Sequence, residues 1–421
     1  MTAGTAGTGT MIRADSVIAF HPLARRVDGP DVVIGRNGSD VFIALPAIGA
    51  EAIGLLETGA SVSEVEDRIE AATGDRIDVA DLAAALLELG MVAEVDGQAL
   101  PGHPPARVTL PGLRPELVRW LLHRPVHALL DIGLVLLVFT AIVLALRAEA
   151  PFPSYESLLW SDRGSLVLAT QVVIGWSLIL IHEAAHLITA RAAGVPGYVE
   201  FGTRLQFLVA QTNVTGVWAA PLRHRLAVYT AGMRADLAVG SFALLGSTFL
   251  APNGIVHRLA LVVAVLAATG LTLQLLIFMR TDVYFIVQDL TRSRNLYGDS
   301  AAYTRYLARR VAAILRPQAA TPANPLADLE ERERRIVKGY TALLVAGTSV
   351  CLVYAAVVLV PFAIGLIYGA VMGVASGSPA EMLDGFVVLA VQGTLLTIWS
   401  RAWWARHGAR IRDRRKTART V

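Results

Sequence analysis

From about Val126 onward the chain is dominated by apolar runs, and these constrain the fold more than any other feature. A hydrocarbon core about 30 Å thick takes about 20 apolar residues as a helix. Helices and closed barrels alone satisfy every backbone polar group at that depth. Six runs qualify, at roughly 126–147, 166–191, 226–250, 257–280, 338–360 and 384–403. Apolar character continues past Pro361 to about Met372, so the fifth helix either kinks there or is followed by a short extra segment. Composition agrees: 54% of the 421 residues are hydrophobic and 17% are charged, against about a quarter charged in an average soluble chain.

Charge in the connections gives an orientation. The stretches 192–225, 280–338 and the end after 403 are rich in arginine, among them Arg223, Arg225, Arg309, Arg310, Arg334 and Arg335. The stretch 148–165 sets Glu149, Glu156 and Asp162 against Arg163, and 373–383 has neither Lys nor Arg. Lysine and arginine favour the cytoplasmic side, so the pattern predicts six spans with both termini cytoplasmic and a basic cytoplasmic tail over 405–421. The net charge is only +3, and no basic stretch is interleaved with aromatics in a soluble module, so nucleic acid is not an expected partner. A lone cysteine, Cys351, excludes an intrachain disulfide and a thiolate metal site.

The first hundred residues have a different character. "MTAGTAGTGT" is small and polar, and residues 1–14 are expected to be a disordered tail, with no signal peptide. In 15–97, "DVVIGRNG" and "VFIAL" have the composition of two short strands joined by a Gly-bearing turn. Three amphipathic helical patterns follow: "AIGAEAIGLLETG", "SVSEVEDRIEAATG" and "DVADLAAALLELGMV". Ser61 and Glu64 have capping-box spacing, and Gly59 and Gly90 stand where helices end. Ile53, Leu56, Val65, Ile69, Leu82, Leu86 and Leu89 supply a core. The expected fold class is therefore mainly α: a polytopic membrane protein of about six transmembrane helices, with a small α+β winged-helix-like head. Residues 98–124, rich in Pro and Gly, are expected to tether the head to a membrane domain over 125–404. Within that domain, 281–337 has mixed charge at helical spacing and is expected to lie solvated at the membrane surface.

"IHEAAH" at 181–186 stands inside the second apolar run. Burying ionisable groups at bilayer depth costs about 2.5–3.5 kcal/mol each on insertion scales, so three in one turn require a compensating role. His182 and His186 are four apart and share a helix face. That spacing brings two imidazole nitrogens to one Zn2+ ion, and Glu183 has the place of the general base that activates water. A hydrolytic zinc site needs a third protein ligand and an open position. Asp282, at the end of the fourth run in "FMRTDVYF", has a compatible depth. Asp131 is a rival, Asp236 in "AGMRADLAVG" a poorer candidate, and Asp384 belongs to the opposite face. His123 and His127 are also four apart, but Pro125 and Arg124 lie between them and no acid follows His123.

"HEAAH" within a span, followed by an Asp after a later span, resembles the site-2 protease family of intramembrane zinc metalloproteases. The resemblance covers roughly 125–300 well and the last spans only loosely. It implies zinc held by His182, His186 and Asp282, with Glu183 catalytic. The family usually has Gly after the ligand Asp, where this chain has Val283. It also has a Gly-Pro-x-x-Asn motif, which this chain matches only at Gly232, with Met233 and Asp236 in place of Pro and Asn. The "RTD-x-YF" form and the fused head resemble the branch of peptide zinc metalloproteases encoded near ribosomal peptide biosynthesis genes. The head resembles the RiPP recognition element, first known as the chaperone of the pyrroloquinoline quinone pathway. That resemblance implies a leader peptide adding as a strand along Val41, Phe42, Ile43 and Leu45, beside the helix face of Leu82 and Leu86. A DNA-binding winged helix or a plain structural domain is the alternative, although Asp78, Asp81 and Glu88 disfavour docking on phosphates.

"YVEFGTRLQFLVAQTNVTGVW" alternates with strand periodicity. In the resembled family such a segment pairs with extended substrate; a surface hairpin is the alternative. The expected function is zinc endoproteolysis, near the cytoplasmic side of a cell membrane, of a precursor peptide recruited through its leader. The alternatives are a regulatory protease cleaving a membrane-anchored signalling protein, and a non-enzymatic export or immunity protein.

Overall fold

The computed structural model describes residues 12–29, 31–36, 41–100, 108–147, 153–204, 207–252, 254–293, 295–315, 323–327 and 329–417. The turn expected around 37–40 and parts of the connections at 101–107, 148–152 and 316–322 lie outside them, as do most of the expected N-terminal tail and the last four residues.

In chain order the elements begin with β1 (Ile18–Phe20), β2 (Leu23–Asp28), β3 (Asp31–Arg36) and β4 (Phe42–Pro46). Then come α1 (Ala47–Glu57), α2 (Val62–Thr73), α3 (Val79–Glu88), β5 (Val92–Val95), β6 (Gln98–Ala99) and the short α4 (Pro115–Val118). The long helices α5 (Arg124–Arg147) and α6 (Gly164–Ala192) precede a hairpin of β7 (Tyr198–Arg204) and β8 (Phe207–Asn213). The remainder is helical: α7 (Leu222–Ser247), α8 (Ile255–Gln274), α9 (Asp282–Thr291), α10 (Leu296–Leu315), α11 (Glu331–Tyr354), α12 (Val360–Ala375) and α13 (Pro379–Thr417).

These residues form two compact units. The first comprises Met1–Leu122, Leu187–Tyr198 and Thr212–Arg225. Its head is built from two antiparallel sheets, β2-β3-β4 and β1-β5-β6, around the three predicted helices. The Ser61 hydroxyl accepts from Glu64 N and the Glu64 carboxylate accepts from Ser61 N, so the capping box forms as read. α2 ends at Gly74 in the left-handed region, and Asp78 caps α3. Ile18, Ile34, Ile53, Leu56, Val65, Ile69, Val79, Leu86 and Met91 make the core. Leu86, expected both in the core and on a peptide-facing helix face, is 0% exposed, as a member of the head's buried core. Val41, Ile43 and Leu45 also pack on that core, and Leu82 is half-buried there. At the described ends of the expected tether, Leu100 packs on the head core and Thr109 N donates to Gly197 O at 3.0 Å.

The second unit comprises His123–His186, Val199–Gln211 and Leu226–Val421. Among the described residues, five helical runs are long and apolar enough to cross a membrane: α5, α6, α8, the continuous Glu331–Ala375, and Pro379–Ala405. Their outward faces are greasy; on α5 alone Leu129, Ile132, Val135, Leu136, Phe139 and Leu146 are exposed. An apolar surface of that extent suits lipid contact. The expected third span is helical as α7 but is not among the five. Arg234 and Asp236 dilute its apolar character, and both are paired within the unit. Arg234 donates to His127 Nε2 and pairs with Asp131, both on α5, while Asp236 meets His182 on α6.

The apolar stretch after Pro361 continues the fifth run. A π-helical turn at Ala355–Leu359 joins α11 to α12, which keeps the path helical across the proline. At 45 residues this run is about 68 Å long, more than twice a hydrocarbon core of about 30 Å. α13 continues to Thr417, so the expected basic tail is helical as far as it is described. The 281–337 connection folds more compactly than expected: Tyr284, Leu296, Leu326, Val337 and Tyr340 from α9, α10, α11 and their connection form a small core of their own.

Candidate metal centre

α6 carries His182, Glu183 and His186, all buried at 7%, 8% and 6% exposure. A helix in this apolar run forms readily, and its 3.6-residue repeat stacks the two imidazoles on one side. Their rings meet edge to face at a centroid distance of 4.8 Å. Facing them on α7 are Val228, Gly232 and Asp236, spaced i, i+4, i+8 and therefore on one stripe. Asp282 enters from the first turn of α9.

The three expected ligand atoms converge. His182 Nε2 lies 3.0 Å from Asp282 Oδ2, His186 Nε2 lies 3.1 Å from the same oxygen, and the two Nε2 atoms are 3.1 Å apart. The opposite ring nitrogens are already committed. His182 Nδ1 is 2.8 Å from Asp236 Oδ2, and His186 Nδ1 is 2.7 Å from the Val228 carbonyl. Both partners are acceptors, so each Nδ1 carries the proton and each neutral ring turns an Nε2 lone pair inward. Two lone pairs and a carboxylate oxygen then point at one another, an arrangement that repels itself unless a cation lies among them. Zn–N and Zn–O bonds of about 2.0–2.1 Å in a tetrahedral site put donor atoms about 3.3 Å apart, close to the separations here. His182, His186 and Asp282 are the group of three that could hold a metal ion among the described residues.

The surroundings fit the same purpose. A Cβ at Gly232 would overlap the His182 imidazole, so only glycine leaves room for the ring. Gln274, at the end of α8, accepts from Asp282 N with its Oε1 at 3.0 Å and places its Nε2 3.4 Å from His182 Nε2. Thr281 Oγ1 donates to the Gln274 carbonyl at 2.7 Å and ties the two elements. Burial alone would raise the Asp282 carboxyl. In the absence of a metal, protons on the two Nε2 atoms would take the cation's place, and the charge on His186 with hydrogen bonds from both rings would then hold the group well below the usual carboxylate range.

The rival acids lie elsewhere. Asp131 pairs with Arg234, and Asp384 accepts from Ser165 N at 2.9 Å at the start of α6. Asp236 is not among the converging donors but holds the first imidazole from behind, a role the sequence reading did not give it. The Gly232–Asp236 spacing could have revealed it, since it puts both residues on one helix face. Of the second pair of histidines, His127 is engaged with Arg234, which donates to its Nε2. Comparison of the chain with protein-family models, curated proteins and solved structures finds no match.

Proposed function

We propose that the chain is a membrane-embedded zinc endopeptidase that cuts a peptide delivered by its head. The observation that carries this reading is the convergence of His182 Nε2, His186 Nε2 and Asp282 Oδ2 while both Nδ1 atoms are spent on acceptors. Two imidazoles and one carboxylate, with no thiolate, are a donor set that suits hydrolytic zinc. A zinc ion held there lowers the pKa of a coordinated water to about 7 and polarises a carbonyl.

The chain's own residues do the rest. Asp236 and Val228 fix the imidazole orientations, and Gln274 fixes Asp282 through its backbone N–H. Glu183, next to the first ligand and buried, takes a proton from the attacking water. It returns that proton to the amide nitrogen as the C–N bond breaks, leaving a carboxylate and an amine. A scissile carbonyl must be free of helical hydrogen bonds, and an extended substrate would pair with the β7–β8 hairpin, whose Val199–Gln211 part belongs to the same unit as Glu183. In the head, β4 is an outer strand among the described residues. An added leader strand there would gain affinity from main-chain hydrogen bonds, with Phe42 beside it. The arginine distribution favours a site near the cytoplasmic face with both termini on that side.

The test uses the purified full-length protein and peptides encoded beside its gene. Glu183→Gln is expected to retain zinc and to lose cleavage by at least about 10²-fold. Wild-type cleavage by that variant refutes the mechanism.

A further inference from the structure

Gln274 is the last residue of α8. The chain doubles back from it, through a 3-10 turn over Ile277–Met279 and Arg280 in the left-handed region, to reach Asp282. Two hydrogen bonds close this loop. Thr281 Oγ1 donates to the Gln274 carbonyl at 2.7 Å, and Asp282 N donates to Gln274 Oε1 at 3.0 Å. A backbone N–H only donates, so the side-chain oxygen is the atom that faces Asp282. The amide group is planar, and its NH2 is thereby held on the other side, 3.4 Å from His182 Nε2. Gln274 is half-buried, so the group is neither sealed in the core nor free in solvent. Gln274, Asp282 and the two histidines all belong to the second unit.

A lone pair that His182 Nε2 gives to a metal is not open to a hydrogen-bond donor, so the Gln274 NH2 then needs another acceptor. Peptide hydrolysis creates one beside it. As the water oxygen bonds to the scissile carbon, the carbonyl π pair moves onto the carbonyl oxygen, which becomes negative. The other side chains at this site are poorly suited to stabilise it by donation. Glu183, Asp236 and Asp282 are carboxylates and only accept, and both imidazoles turn their Nδ1–H away, toward Asp236 and the Val228 carbonyl. We infer that Gln274 is a catalytic residue whose side-chain N–H donates to the oxyanion as it forms, while its Oε1 holds Asp282 in place. A fixed neutral donor aimed where charge develops needs no reorganisation during the reaction. The inference rests on the endopeptidase reading.

The test uses the full-length protein in detergent, a peptide encoded beside its gene, and a phosphinate copy of that peptide, whose tetrahedral anionic centre imitates the oxyanion. Gln274→Glu keeps the acceptor for Asp282 N and removes the donor; Gln274→Leu removes both and adds no charge. Both are expected to lower kcat by about 10²–10³-fold, the usual loss for one oxyanion donor, with KM little changed. Both should also weaken phosphinate binding, read by calorimetry, by about 10²-fold. Gln274→Glu is expected to keep the wild-type zinc content. Wild-type kcat and phosphinate affinity in Gln274→Glu overturn the inference and leave the endopeptidase reading standing. A loss of activity in Gln274→Glu that only follows lost zinc does the same, since it reduces Gln274 to a support for Asp282. A wild-type protein that neither cleaves the peptide nor binds the phosphinate overturns both.

Discussion

Asp236→Ala isolates the contribution of the residue behind the first imidazole. The buried Nδ1–H of His182 then loses the acceptor 2.8 Å away. Leaving a buried donor unpaired costs about 1–3 kcal/mol, and the ring gains freedom to rotate or change tautomer. Removing a partner that orients a metal-bound histidine lowers metal affinity about 10–100-fold, or about 1.4–2.7 kcal/mol. Asp236→Asn keeps an acceptor of the same shape without the charge, so its loss should fall between wild type and alanine. Competition of the purified protein against a zinc chelator at fixed pH measures both. An Asp236→Ala variant with wild-type zinc affinity refutes the argument that this carboxylate fixes the ligand.

Three other outcomes are expected. Gly232→Ala places a methyl group where the His182 ring lies; it should cost about 1–3 kcal/mol in stability and reduce zinc content, read by thermal melting and metal analysis. Leu86→Ala removes a fully buried core side chain and should destabilise the head by about 2–5 kcal/mol, measured by denaturant unfolding of the full chain. Zinc affinity should fall as pH falls, because protons compete for the imidazole nitrogens. Asp282→Asn should lower affinity at every pH, because it removes the anionic ligand while leaving the two imidazoles for which protons compete.

The parts legible in the sequence are those specified locally. Ser61 and Glu64 cap α2 through residues three apart, and the helical repeat alone puts His182 above His186. Asp282 was legible by depth, since the end of α8 and the end of α6 had to meet for a third ligand to exist. The β5–β6 hairpin was missed although Asp96-Gly97 is a hairpin signal, and both residues have positive φ. β2 was missed because two arginines interrupt its pattern; Arg26 is there to reach the Trp218 carbonyl, a contact between residues 192 positions apart. α7 was read as a span although Arg234 and Asp236 interrupt its apolar pattern; each is matched by a group on a neighbouring helix that no local pattern reveals. Leu86 was read both as core and as part of a peptide-facing surface, because amphipathicity marks an apolar face without saying whether a peptide or the protein's own core covers it; the structure buries it.

The central claim is that His182, His186 and Asp282 together hold one zinc ion, and the most direct measurement is metal content. Elemental analysis of the full-length protein after extensive dialysis should give about one zinc per chain, and Asp282→Ala should lose most of it under the same conditions. A zinc content unchanged by Asp282→Ala, or a wild-type protein that retains none, contradicts the account.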